Sequence, residues 1–122
     1  MDRVGAQRWL ERYIEAWRSN DRHQIADLFS EDVAYRYHPY DQPIVGRGEL
    51  VGSWLESPDD PGSWDATYAP FALEGERLVA VGTSRYHRTE EHPERIFHNV
   101  FLIVFEHDGR CREFTEYYVQ AR

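Results

Sequence analysis

Apolar residues recur at three- and four-residue steps over residues 5–18, where Ala6, Trp9, Leu10, Tyr13, Ala16 and Trp17 fall on one stripe. That period predicts an amphipathic helix with a tyrosine on its inner face. Ser19-Asn20-Asp21 interrupts it. Asp21, followed three residues later by Gln24, predicts the N-cap of a second short helix that carries Ile25, Leu28 and Phe29. Ser30-Glu31-Asp32 predicts a turn into a strand over 33–38, which Pro39 ends because proline cannot donate to a ladder. A loop runs to Val45. Residues 46–55, with Leu50, Trp54 and Leu55, predict a third helix, in which Gly48 and Gly52 would each cost about 1 kcal/mol if interior. After the Pro/Gly/Asp break at 57–62 the pattern is that of strands at 64–73, 77–88, 95–106 and 110–120, with Asp108-Gly109 as a hairpin turn.

The strand over 95–106 is apolar on both alternating sets. Phe97, Phe101, Ile103 and Phe105 form one, and Ile96, Val100, Leu102 and Val104 the other. A sheet with one wet face alternates apolar with polar residues. One set is therefore expected to meet the helices and the other a second subunit, because bare it would be a large exposed apolar patch. A homodimer through the sheet is the expectation. No repeat, linker or low-complexity tract divides the chain, so residues 1–122 read as one domain, long enough to bury a core without staples.

Composition narrows the partners. The net charge is −8 and no basic run occurs, which argues against a nucleic-acid partner. All fourteen basic residues are Arg, which removes Schiff-base and lysine-base mechanisms. The lone Cys111 allows no internal disulfide, and no apolar signal or membrane-length run is present. A cytoplasmic location without a membrane partner is expected. Aromatic residues reach 15%, eight of them Tyr, so a buried site would carry many hydroxyl handles. The six His show no HxH or HExxH spacing and no serine elbow occurs, so neither a metal nor another cofactor is expected.

Three features carry a family resemblance: RYIEAWRSNDRHQIADLFSEDV over 12–33, the strand-Pro-loop-Gly-helix that follows, and DGRCREFTEYYV over 108–119. In their order the chain resembles the nuclear transport factor 2-like, or SnoaL-like, superfamily. The resemblance implies an α+β fold in which three N-terminal helices pack on a strongly curved, mixed but mostly antiparallel sheet, forming a cone with an internal cavity. Its relatives include ketosteroid isomerases, limonene epoxide hydrolases, scytalone dehydratases and polyketide cyclases. Fold does not give function. Ketosteroid isomerases place an Asp general base before a proline at the first strand's end, and make an oxyanion hole from a protonated Asp on the strand before the last turn and a tyrosine on the first helix. The corresponding slots here hold His38 before Pro39, with Tyr37 as the alternative occupant, then Asn99 or, shifted by two, Phe101, and Tyr13. The epoxide hydrolase slots read Arg85-Tyr86-His87 and Glu116; a His stands in place of the first Asp, so that activity is not expected.

The residues themselves support the same candidates. An imidazole can accept and return a proton at neutral pH, so His38 could shuttle one, or could be a strand-end His bonded to a neighbouring carbonyl or simply at the rim. Tyr13 and Asn99 could hold an oxyanion, or could be satisfied within the core. Glu116 could join Arg85 and His87 in a charged cluster at the cavity wall if their faces are both concave, or form a surface ion pair with them. Tyr35, Tyr37, Trp54, Tyr68 and Tyr118 complete the expected substrate wall. The expected function is proton transfer on a hydrophobic small molecule by a cofactor-independent isomerase, cyclase or dehydratase. The rival is a ligand-binding or accessory domain without chemistry.

Overall fold

The computed structural model describes every residue from Met1 to Arg122. Helix α1 spans Arg3–Ser19, capped by Asp2, whose side chain accepts from the Gly5 amide. It ends at Asn20, which adopts a left-handed conformation (φ 54°) and returns its amide to the Ala16 carbonyl. Asparagine tolerates that region, which is why the helix stops there. Ala6, Trp9, Leu10, Tyr13 and Ala16 are buried, the inner stripe that the periodicity predicts. Helix α2 spans Arg22–Asp27. The Asp21 carboxylate accepts from the Gln24 amide at 2.9 Å. We expect Asp21→Ala to cost about 1 kcal/mol and Asp21→Asn almost nothing, read by chemical denaturation; equal losses in both would refute a capping role.

Strand β1 is Phe29–Arg36, β2 is Ile44–Val45, helix α3 is Arg47–Glu56, and β3 to β6 are Trp64–Glu74, Arg77–Tyr86, Arg95–Phe105 and Cys111–Gln120. They form one six-stranded sheet in the order β2-β1-β6-β5-β4-β3. All pairings are antiparallel except that of β1 with β6. The fold is α+β with a mixed sheet, as expected. The three helices lie against it, α1 on β3 and α2 and α3 on β1.

Two local expectations are corrected. The first strand begins at Phe29 and ends at Arg36, not over 33–38. Ser30-Glu31-Asp32 lie within it, at an irregularity between the Phe29 and Ala34 pairs with β6 that absorbs residues otherwise suited to a turn. His38 and Pro39 fall in the turn beyond, closed by the Asp41 amide on the His38 carbonyl at 3.1 Å. The loop expected up to Val45 contains β2, a two-residue strand paired to Ala34 and Tyr35.

The helices cover Phe101, Ile103 and Phe105, whereas Val100 and Leu102 remain 36% and 42% exposed. Tyr117, opposite Val100, and Val119 are exposed on that outer face as well. No helix of the chain is long and apolar enough to cross a membrane.

Candidate functional site

The inward face of the sheet carries the site in ladder rows. Register places Tyr68, Gly82, Asn99 and Tyr118 in one row across β3 to β6, and Ala80, Phe101 and Glu116 in the next. Above these rows the helices leave a cleft of two lobes. An inner lobe of about 370 Å³ reaches Tyr13, Tyr35, Trp54 and Tyr68; an outer lobe of about 420 Å³ reaches His38, Arg95, Asn99 and Tyr118. Tyr37, Asp59, Ser84, Tyr86 and Glu116 line both.

Glu116 stands at the junction. The Asn99 side-chain amide donates to its Oε2 at 2.8 Å, and the Ser84 hydroxyl donates to the Asn99 oxygen at 3.0 Å. Ser84 and Asn99 are among the few buried polar residues, and this chain satisfies them. Burial pushes the Glu116 carboxyl up from its ordinary 4.5 to about 7, against the Asn99 hydrogen bond and the charge of His38, which pull it down. Desolvation dominates because the ionised form loses more water than one amide returns. The group is therefore poised to take or give a proton near neutrality.

At the inner end the hydroxyls of Tyr13 and Tyr35 meet at 3.0 Å, both buried. Tyr35 is locked by stacking on Phe114, its partner across the parallel β1·β6 pair, at 4.4 Å between centroids. Tyr37 bonds through its hydroxyl to Ser53 at 3.1 Å. Burial raises the phenols of Tyr13, Tyr35, Tyr37, Tyr68 and Tyr86 above their ordinary range, so each stays neutral and able to donate.

His38 lies at the rim of the outer lobe, its ring parallel to that of Tyr40. Its Nδ1 is 2.9 Å from the Asp41 carboxylate and its Nε2 is 3.0 Å from the Tyr118 hydroxyl. Both nitrogens are thus engaged. Of the two candidates for the inward position, Tyr37 reaches both lobes and His38 only the outer one. The structure joins Asn99 to Glu116 but does not bring His38 to Tyr13.

Arg85 and His87 do not belong to the cleft, a correction to the expected cluster with Glu116. Arg85 pairs with Glu94 at 3.1 Å, and His87 with Asp65 at 2.8 Å and the Gly62 carbonyl at 3.1 Å, all exposed. The reason is strand alternation: Leu78, Ala80 and Ser84 of β4 face inward, so Arg85 faces out and Ser84 and Tyr86 take the cleft side. The parity of β4 groups Ser84 with Tyr86 and Arg85 with His87, but only the packed sheet decides which pair faces the cleft. Trp17, Ser53 and Asp59, also in the lining, had no such signal. Cys111 is buried, its thiol donating to the Glu113 carbonyl at 3.2 Å. No three His, Cys, Asp or Glu side chains come together in a way that could hold a metal ion.

The model of the SnoaL-like domain family matches residues 10–114. Among solved structures, an NTF-2 like protein of unknown function from Burkholderia xenovorans LB400 superposes with a TM-score of 0.72 at 17% identity, covering 98% of this chain and 86% of that one. A candidate ketosteroid isomerase from Kribbella flavida DSM 17836 gives 0.71 at 19%, covering 99% and 82%. An LEH-like epoxide hydrolase from M. tuberculosis gives 0.70 at 14%, covering 95% and 84%. At such identities the likeness is one of fold. No curated protein matches the chain.

Proposed function

Because the chain belongs to the SnoaL-like domain family, its match running through residues 10–114, we propose that it binds a hydrophobic small molecule and moves a proton on it. The reaction class is isomerisation, cyclisation or dehydration without a cofactor. Glu116 is the proton-transfer group. The observation that carries this reading is a carboxyl held near pKa 7 where two lobes of a cleft meet, oriented by the Ser84-Asn99 chain. Neutral phenols around it would donate to oxygen as negative charge develops. His38, held between Asp41 and Tyr118, is a positioning residue for the Tyr118 hydroxyl.

The test is a panel of cyclic ketones incubated with the protein in D2O and followed by NMR for exchange of the carbon-bound α-hydrogens. Exchange at a single stereochemical position, lost in Glu116→Gln, is the expected result. Exchange that persists in that variant would overturn the role of Glu116. A second reading, a ligand-binding domain without turnover, draws on the Tyr13-Tyr35 bond, which commits one of the two phenol protons at the inner end to a hydrogen bond within the protein. It predicts compounds that raise the melting temperature yet show neither exchange nor conversion.

The same reading includes a homodimer through the outer sheet face. Val100, Leu102, Tyr117 and Val119 form its exposed apolar stripe, and a contiguous apolar patch on a sheet face favours association. We expect sedimentation to give a dimer and Val100→Glu with Leu102→Glu to give a folded monomer. A monomeric parent protein would refute it.

A further inference from the structure

The inner lobe is walled by rings and carboxylates and contains no basic side chain. Trp17, Trp54, Tyr68 and Tyr86 supply aromatic surface, and Glu56, Asp59 and Glu116 supply the acids. Within this wall Trp17 and Tyr86 form a corner, their centroids 6.3 Å apart at 57°. Asp59 is fixed beside it, its Oδ2 accepting from the Trp17 indole N–H at 2.9 Å. Rings of this cluster already attract cations. The Arg95 guanidinium lies 5.0 Å from the Tyr86 centroid. That of Arg18 lies 5.7 Å from Trp64, which stacks on Trp17 at 3.5 Å.

We infer that the inner lobe binds an organic ammonium group, with the charged nitrogen at the Trp17-Tyr86 corner beside Asp59. The negative faces of aromatic rings attract a cation, more strongly once it is desolvated. Carboxylates lining a cleft of low dielectric focus the same sign of field. An anionic ligand in the inner lobe would meet Glu56, Asp59 and Glu116 with no basic side chain in that lining, Arg95 lining the outer lobe instead. A neutral one would keep apolar contact and phenol hydrogen bonds but gain no charge attraction from the carboxylates. The substrate class is thus narrowed from a hydrophobic molecule to a hydrophobic amine. The inference rests on the cleft being the functional site but not on Glu116 acting as a base.

Three probes share one bulky head and differ in charge: choline, its neutral carbon isostere 3,3-dimethylbutan-1-ol, and the anion 3,3-dimethylbutanoate. Each is titrated into the protein while the Trp17 and Tyr86 ring resonances are followed by NMR. Choline is expected to bind about tenfold tighter than the alcohol, and the anion weakest. Asp59→Asn should weaken choline while leaving the alcohol unchanged, and Trp17→Leu should weaken choline more than the alcohol. The inference is overturned if the alcohol binds as tightly as choline, if the anion binds tighter, or if no probe shifts these resonances. Loss of deuterium exchange as a property of the parent protein, with ammonium preference intact, would remove the proton-transfer reading alone. Intact exchange with no preference for charge would remove only the ammonium site.

Discussion

Glu116→Gln is expected to abolish proton transfer and, above pH 7, to make the protein more stable than its parent. The catalytic half follows from chemistry: an amide cannot accept the proton, and a positioned general base contributes about 10²- to 10⁴-fold. The stability half follows from linkage. The unfolded chain gives up this proton near 4.5, whereas the folded protein holds it to about 7. Between those values the folded state binds more protons, so stability falls as pH rises, and above 7 the ionised carboxylate remains as a fixed cost. The full interval corresponds to roughly 3 kcal/mol as a ceiling. Glutamine keeps an oxygen for the Asn99 amide and carries no charge, so it removes the cost. Urea denaturation at pH 5 and pH 8 should give nearly equal midpoints at the lower pH and a clear gain for the variant at the higher. A gap that does not depend on pH would mean that Glu116 ionisation is not coupled to folding. Stability gained at the cost of activity is the usual mark of a group kept for function.

The contrast between Glu116 and His38 marks how far the sequence reached. Periodicity located α1 and its tyrosine, the cap at Asp21, and the four long strands, because each of those features is local. The α+β class and the family followed from their order. The candidate list contained both Asn99 and Glu116, yet it gave the leading acid-base role to His38. What separates the two is burial and hydrogen bonding: Glu116 is desolvated by packing from several elements, and His38 is tied to Asp41 and Tyr118, the latter 80 residues away. Neither condition is written near the residue. Arg85 and His87 failed differently, since the parity of β4 was legible and its direction was not. Which set of an apolar strand faces the helices depends on the sheet as a whole. The parallel β1·β6 pair, which sets Tyr35 against Phe114, is likewise a property of topology.

Gly82→Ala is expected to destabilise the protein by about 3 kcal/mol or more, at the upper end of what overpacking costs. Its φ is not the reason. A Cβ at this position would run into the Thr67 carbonyl oxygen and come within 2.8 Å of the Tyr68 Cα, both backbone atoms of β3. A flexible side chain can step aside, but a paired strand cannot move without its neighbours. Gly82 also sits between Tyr68 and Asn99 in the same ladder row. The missing side chain lets the Tyr68 ring lie over the strand and pack on Phe101 at 4.6 Å between centroids, the way aromatic residues cover sheet glycines. The close approach of β3 to β4 therefore places one wall of the cleft relative to the Asn99-Glu116 pair. Thermal melting should reveal the loss, and adding Tyr68→Ala should not restore stability, because the clash with Thr67 remains. Recovery in the double variant would mean that the tyrosine ring, and not the strand, is what Gly82 accommodates.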